Sequence, residues 1–154
     1  MANLNHYHFT TVWRLTFPPG EVFAVLADLG SYTAWWPGMR RIDRVDATAY
    51  ETEVRSVLPF SLVFRTVTTR QDRQAGVLQA DLRGDLEGFS RWTVAAEDGG
   101  ARATFEEEVI ARNRLLRVLA PVARPVFRWN HAVLMNRGER GLRVFLAGRS
   151  SAGQ

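Results

Sequence analysis

The chain has 154 residues, of which 46% are apolar and 23% charged, and its formal net charge is +4. That length suits one domain with a single substantial core, and the apolar share excludes a disordered chain. Cysteine is absent, which excludes a disulfide framework, a thiolate metal site and a cysteine nucleophile.

Residues 6–17, HYHFTTVWRLTF, alternate so that Tyr7, Phe9, Thr11, Trp13, Leu15 and Phe17 share one face. A period of two predicts a strand with one buried side. Pro18 and Pro19 end it, and proline is tolerated in the first turn of a helix. Val22, Val25, Leu26 and Leu29 then follow helical spacing. Gly30 stops that helix, and SYTAWWP has room for only one more turn before Pro37. From 39 to 111 the pattern is strand after strand, broken at 46–48, Pro59, 72–76, 84–88 and 97–100. Runs of this length between turn residues predict an antiparallel meander. Residues 113–147 change to a helical period. Pro121 and Pro125 lie inside that segment and predict a kink or a separate first helix.

On the long helix Phe127, His131, Leu134, Gly138, Gly141, Leu142 and Phe145 fall near one face, with Asn136, Arg140 and Arg143 opposite. A sheet and a long amphipathic helix satisfy their apolar faces by packing on each other. The sequence thus predicts one strand, two short helices, about six more strands and a C-terminal helix gripped by the sheet.

Three stretches, in this order, carry a resemblance to a known family: FPPGEVFAVLADLGSYTAWWPGMRRID, LRGDLEGFSRWTVAAEDGGARATFEEEV and NHAVLMNRGERGLRVFLAG. The chain resembles the START-like, helix-grip superfamily (SRPBCC), often labelled polyketide cyclase/dehydrase and lipid transport. The resemblance covers nearly the whole chain and speaks more to fold than to chemistry. It implies an α+β fold in which a curved seven-stranded antiparallel sheet wraps a long C-terminal helix around an apolar cavity. Residues 1–148 would form a single START-like ligand-binding domain, and 149–154 a disordered tail. One departure stands out. Ala101, Ala103, Phe105, Glu107 and Val109 share a strand face, and relatives place an apolar residue where Glu107 stands.

The expected cavity residues are Trp13, Trp35, Trp36, Phe64, Trp92, Phe105, Glu107, Phe127, His131 and Leu134. Trp35 and Trp36 either seal the core or turn an indole to the guest, and neighbours in a helix point about 100° apart. Alternation leaves open whether Phe64, Thr66 and Thr68 or Val63, Arg65 and Val67 face inward. Glu107 reads either as an inward carboxylate, needing a partner or a proton, or as a residue that a bulge or a strand end lets reach water. His131 reads as a satisfied core histidine or as a contact to a ligand oxygen. His6 and His8 alone make a poor metal site, and no metal or cofactor is expected.

The expected function is the binding or transport of a small hydrophobic ligand: a lipid, an isoprenoid or quinone, or a polyketide-like molecule. The alternative is a polyketide aromatase/cyclase-dehydratase acting on carrier-bound intermediates. Glu107 and His131, or an inward Arg65 or Arg91, would then move protons. A non-enzymatic binder is favoured, because no full catalytic set is visible. All 20 basic residues are arginine, a codon-bias pattern, and the small excess does not argue for nucleic acid. Arg117, Arg124 and Arg128 would project to one side of a helix, as a solvated face or as a contact for an anionic membrane surface or an acidic carrier protein. The segment MANLNHYHF lacks the layout of a signal peptide, and no apolar run approaches the ~18 residues of a membrane span. A cytoplasmic location is expected.

Overall fold

The computed structural model describes residues 5–118 and 120–152. Seven strands, β1 (His6–Leu15), β2 (Met39–Arg44), β3 (Ala49–Val54), β4 (Leu62–Asp72), β5 (Val77–Gly84), β6 (Leu86–Glu97) and β7 (Gly100–Ala111), form one sheet. Its order is β1-β7-β6-β5-β4-β3-β2, and every pairing is antiparallel. The chain from β2 to β7 is therefore a simple meander, and β1 closes its far edge against β7. Between β1 and β2 run helix α1 (Pro19–Ala27), a 3₁₀ turn (Leu29–Ser31) and the one-turn helix α2 (Tyr32–Trp35). Two helices follow the sheet, α3 (Arg114–Val118) and α4 (Ala120–Ala152).

Each strand presents alternate residues to the concave face, where α4 lies. On β7 these are Ala101, Ala103, Phe105 and Val109, all buried. On β4 the undecided alternation resolves in favour of Leu62, Phe64 and Thr66, which are buried, while Val63 and Arg65 are exposed. Arg65 points outward because its guanidinium finds Glu51 on β3 at 2.9 Å, at the surface. Arg91 is also on the convex face, its Nε donating to Gln79 Oε1 at 3.0 Å. Neither arginine can serve an internal site.

The prolines of the C-terminal segment are accommodated without loss of the long helix. Pro121 sits in the first turn of α4, where its missing N–H has no partner to lose. Pro125 lies inside the helix. At the other end α4 continues through Ala152, so residues 149–152 are helical and not the disordered tail expected. Leu146 is buried there, and the Arg149 guanidinium lies 5.9 Å from the centroid of Phe145, one turn back. Residues 153 and 154 of the expected tail lie outside the described residues.

The double tryptophan is where α4 meets the α1–α2 corner. The Trp36 indole Nε1 donates to the Leu134 carbonyl at 2.8 Å, and Trp35 stacks on Trp36 with ring centroids 5.3 Å apart. Two glycines permit the approach. A Cβ at Gly141 would lie 1.7 Å from the Trp35 carbonyl oxygen, and one at Gly138 would lie 2.5 Å from the Trp36 ring. Glycine is required where backbone and ring come this near.

Candidate functional site

The aromatic side chains do not fill the space between sheet and helix. A cavity of about 110 Å3 opens between β2–β7 and the α1–α2 corner. A smaller one of about 70 Å3 lies between the sheet and α4. Trp36, Met39, Phe64, Phe105 and Glu107 line both, so the two are lobes that meet at these residues. Trp92 lines the larger lobe only, and Phe127, His131 and Leu134 the smaller only.

Glu107 is the polar residue at that waist. β7 runs without a register shift past both neighbours, so Glu107 stands on the inner face opposite Ser90 of β6 and Phe9 of β1. Its side chain is 12% exposed, and its Oε2 is 4.0 Å from Nε2 of His131, itself 10% exposed. The strand-end reading is therefore wrong: Glu107 points in. Burial disfavours its charged form and pushes the carboxyl up to about 7. Burial also disfavours the imidazolium and takes His131 down to about 4. Near neutral pH the imidazole is uncharged and Glu107 is poised between acid and carboxylate.

His131 is held by packing. Its ring stacks on Phe9 with centroids 3.7 Å apart and planes 8° from parallel, and Phe105 lies beyond at 6.2 Å. Next to it on α4, Asn130 is buried and its Oδ1 accepts from the backbone N–H groups of Val57 and Leu58 at 2.8 and 3.2 Å. That pair ties the β3–β4 loop to the helix. Across the larger lobe, the hydroxyls of Thr52 and Thr66 share a hydrogen bond of 3.1 Å.

Two of the expected wall residues lie elsewhere. Trp13 is 1% exposed and sits behind the wall, 5.2 Å from Trp36 and 4.7 Å from Trp92 between ring centroids. Trp35 lies outside both lobes, against Trp36, with its Nε1 donating to Ser31 Oγ at 3.2 Å. They differ from Trp36 because successive helical positions diverge, and because β1 is covered by the α1–α2 corner where Trp13 emerges. Both hold the wall in place. Sequence reasoning missed Tyr32, Met39, Ser90 and Asn130. Ser90 was legible, two residues before Trp92 on the same strand face; Asn130 lies beside His131 but reads as an ordinary surface residue until its loop partners are known.

The arginine side of the helix also changes. Arg124 turns toward β1: its Nη1 donates to the His6 carbonyl at 2.8 Å, and its guanidinium lies 4.8 Å from the Tyr7 ring centroid. It does not share a solvated face with Arg117 and Arg128, which are exposed. Nearby, Val122 and Trp129 of α4 are 74% and 59% exposed. His6 Nε2 and Glu108 Oε1 are 2.9 Å apart at the surface. Among the described residues no helix is long and apolar enough to cross a membrane.

A curved antiparallel sheet gripping a C-terminal helix around an internal cavity defines a helix-grip protein. The model of the family described as polyketide cyclase / dehydrase and lipid transport matches residues 6–140, and the chain belongs to that family. The Zhui aromatase/cyclase from Streptomyces sp. R1128 superposes with a TM-score of 0.75 at 12% identity, over 94% of each chain. The di-domain aromatase/cyclase BexL of the BE-7585A biosynthetic pathway gives 0.71 at 15% identity, over 92% of this chain and 50% of its own. The protein TTHA0849 of Thermus thermophilus gives 0.68 at 13% identity, over 92% of this chain and 98% of its own. The chain thus spans about half the length of the di-domain BexL, and at these identities the likeness is one of fold. No curated protein matches the sequence.

Proposed function

We propose that this protein binds a small, largely apolar molecule in the two-lobed cavity, with Glu107 and His131 meeting its polar group. The observation that carries this reading is the cavity itself, walled by aromatic and aliphatic side chains with one ionisable pair aimed into it. Burial of the guest drives binding, at roughly 0.8 kcal/mol for each methylene taken out of water. A few uncharged polar groups fix its orientation, as in other sites of this kind. Native mass spectrometry of the purified protein tests the reading. A retained guest, or stabilisation by quinones, isoprenoids or polycyclic phenols, is expected; neither occurring would refute it.

A second reading, ring closure of a polyketide chain, is favoured by the acid–base pair. Glu107, titrating at about 7, is matched to proton transfer in both directions near neutral pH. As carboxylate it would take a proton from a carbon beside a carbonyl. The resulting enolate carbon would attack a second carbonyl, whose oxygen regains that proton before water is lost. His131, with its pKa at about 4, is a weaker base and, as the neutral imidazole, would hold the carbonyl oxygen through its ring N–H. Turnover of a carrier-bound chain that survives Glu107→Gln would rule out this route. In either reading the exposed Val122, Arg128 and Trp129 of α4 would offer the face that meets an anionic partner, a membrane surface or an acidic carrier.

A further inference from the structure

The lining of the two lobes is unusual in its charges. Tyr32, Glu107 and His131 are the titratable groups among the described lining residues. None of the chain's arginines is among them, although arginine supplies all 20 of its basic side chains. Of the arginines adjacent in sequence to wall residues, Arg65 pairs with Glu51, Arg41 with Asp43 and Arg70 with Asp72, Arg91 donates to Gln79, and Arg40 and Arg83 are exposed. Tyr32 is itself committed, donating its hydroxyl proton to the Leu26 carbonyl. The remaining polar atoms facing the larger lobe belong to hydroxyls and amides such as Thr66, Thr68, Gln71 and Ser90.

We propose that the cavity selects an uncharged, oxygen-bearing ring compound, such as a phenol, and rejects the corresponding carboxylate. This rests on the cavity being a binding site, as argued above. A carboxylate guest would shed its hydration without any cation to replace it, a cost that buried anions avoid only by pairing. It would also lie against the one carboxyl at the waist of the cavity. A neutral hydroxyl or carbonyl meets neither penalty, since Glu107, His131, Thr66 and Ser90 offer both donors and acceptors to an uncharged oxygen. A guest cation fares little better: Glu107 is the one counter-charge the lining offers it, and a buried pair repays its desolvation only with good geometry and further hydrogen bonds.

The test is a matched series of two-ring compounds, 1-naphthol, 1-naphthoate and 1-naphthylmethylammonium, titrated calorimetrically into the wild-type protein at about pH 7.5, where all three hold the intended charge. Naphthol should bind at least about tenfold more tightly than either ion, which is the least that an unpaired buried charge should cost. Glu107→Gln should narrow the naphthol-to-naphthoate ratio, because the like charge is gone. Naphthoate binding as tightly as naphthol would overturn the inference and leave the cavity a binding site. The ammonium ion binding best, or a ratio unchanged in a folded Gln variant, would overturn it too. If none of the three binds and no guest is found by native mass spectrometry, the binding reading falls first and this inference with it. Should the Gln variant fail to fold, the wild-type series alone decides.

Discussion

Replacing Glu107 by glutamine should make the protein's stability respond to pH in a way the wild type does not. Folding raises the carboxyl from 4.5 to about 7 by burial, so between those values the native state holds a proton that the unfolded state has released. Wild-type stability attributable to this group is therefore greatest below pH 4.5. It falls as pH rises toward 7 and levels off above. One pKa unit is worth about 1.4 kcal/mol, so the loss across the window amounts to roughly 3 kcal/mol. His131 contributes the opposite slope: its pKa falls from 6.5 to about 4, so it favours the folded state increasingly as pH rises through that range. The two slopes oppose each other in the wild type. Glutamine removes only the first. The variant's stability relative to wild type should thus rise by roughly 3 kcal/mol between about pH 4.5 and 7.5. Urea titrations followed by tryptophan fluorescence at intervals across that range would measure it. A difference that stays flat with pH would refute the buried, inward placement of Glu107.

Three further outcomes are expected. Gly141→Ala places a methyl on the Trp35 carbonyl and should cost about 3 kcal/mol or more, the upper range for overpacking; a variant as stable as wild type in urea would show that α4 does not approach this closely. Asn130→Ala leaves the Val57 and Leu58 N–H groups without their acceptor. It should cost about 1–3 kcal/mol and speed amide exchange at those two residues, and unchanged exchange would refute the tether. Trp129→Ser combined with Arg128→Glu changes exposed residues, so stability should move by less than about 0.5 kcal/mol. Co-sedimentation with phosphatidylserine vesicles should drop in that variant, and equal binding would remove this face from any membrane contact.

Much of the architecture was legible in the sequence because it rests on periodicity. The alternation in β1 and β7, the helical stripe of α1 and the long apolar face of α4 are local patterns, and one sheet plus one amphipathic helix has few ways to bury both faces. The inward position of Trp92, Phe105, Phe127, His131 and Leu134 follows from the same patterns. On β4 alternation failed to choose, because Phe, Thr and Val all suit a strand; Glu51, on the neighbouring strand, drew Arg65 outward and left Phe64 within.

The sequence alone determined the element order, the grip of sheet on helix and the presence of a carboxylate on an otherwise apolar strand face, since each depends on spacing along the chain. Only tertiary structure decided that Trp13 and Trp35 back the wall while Trp36 lines it, and that Arg124 ties α4 to β1. It also showed that Glu107 and His131, from a strand and a helix, face each other at the waist of a cavity. Such facts depend on which side chains from distant segments meet, and on how much volume they leave unfilled. Neither quantity is carried by the period of a pattern.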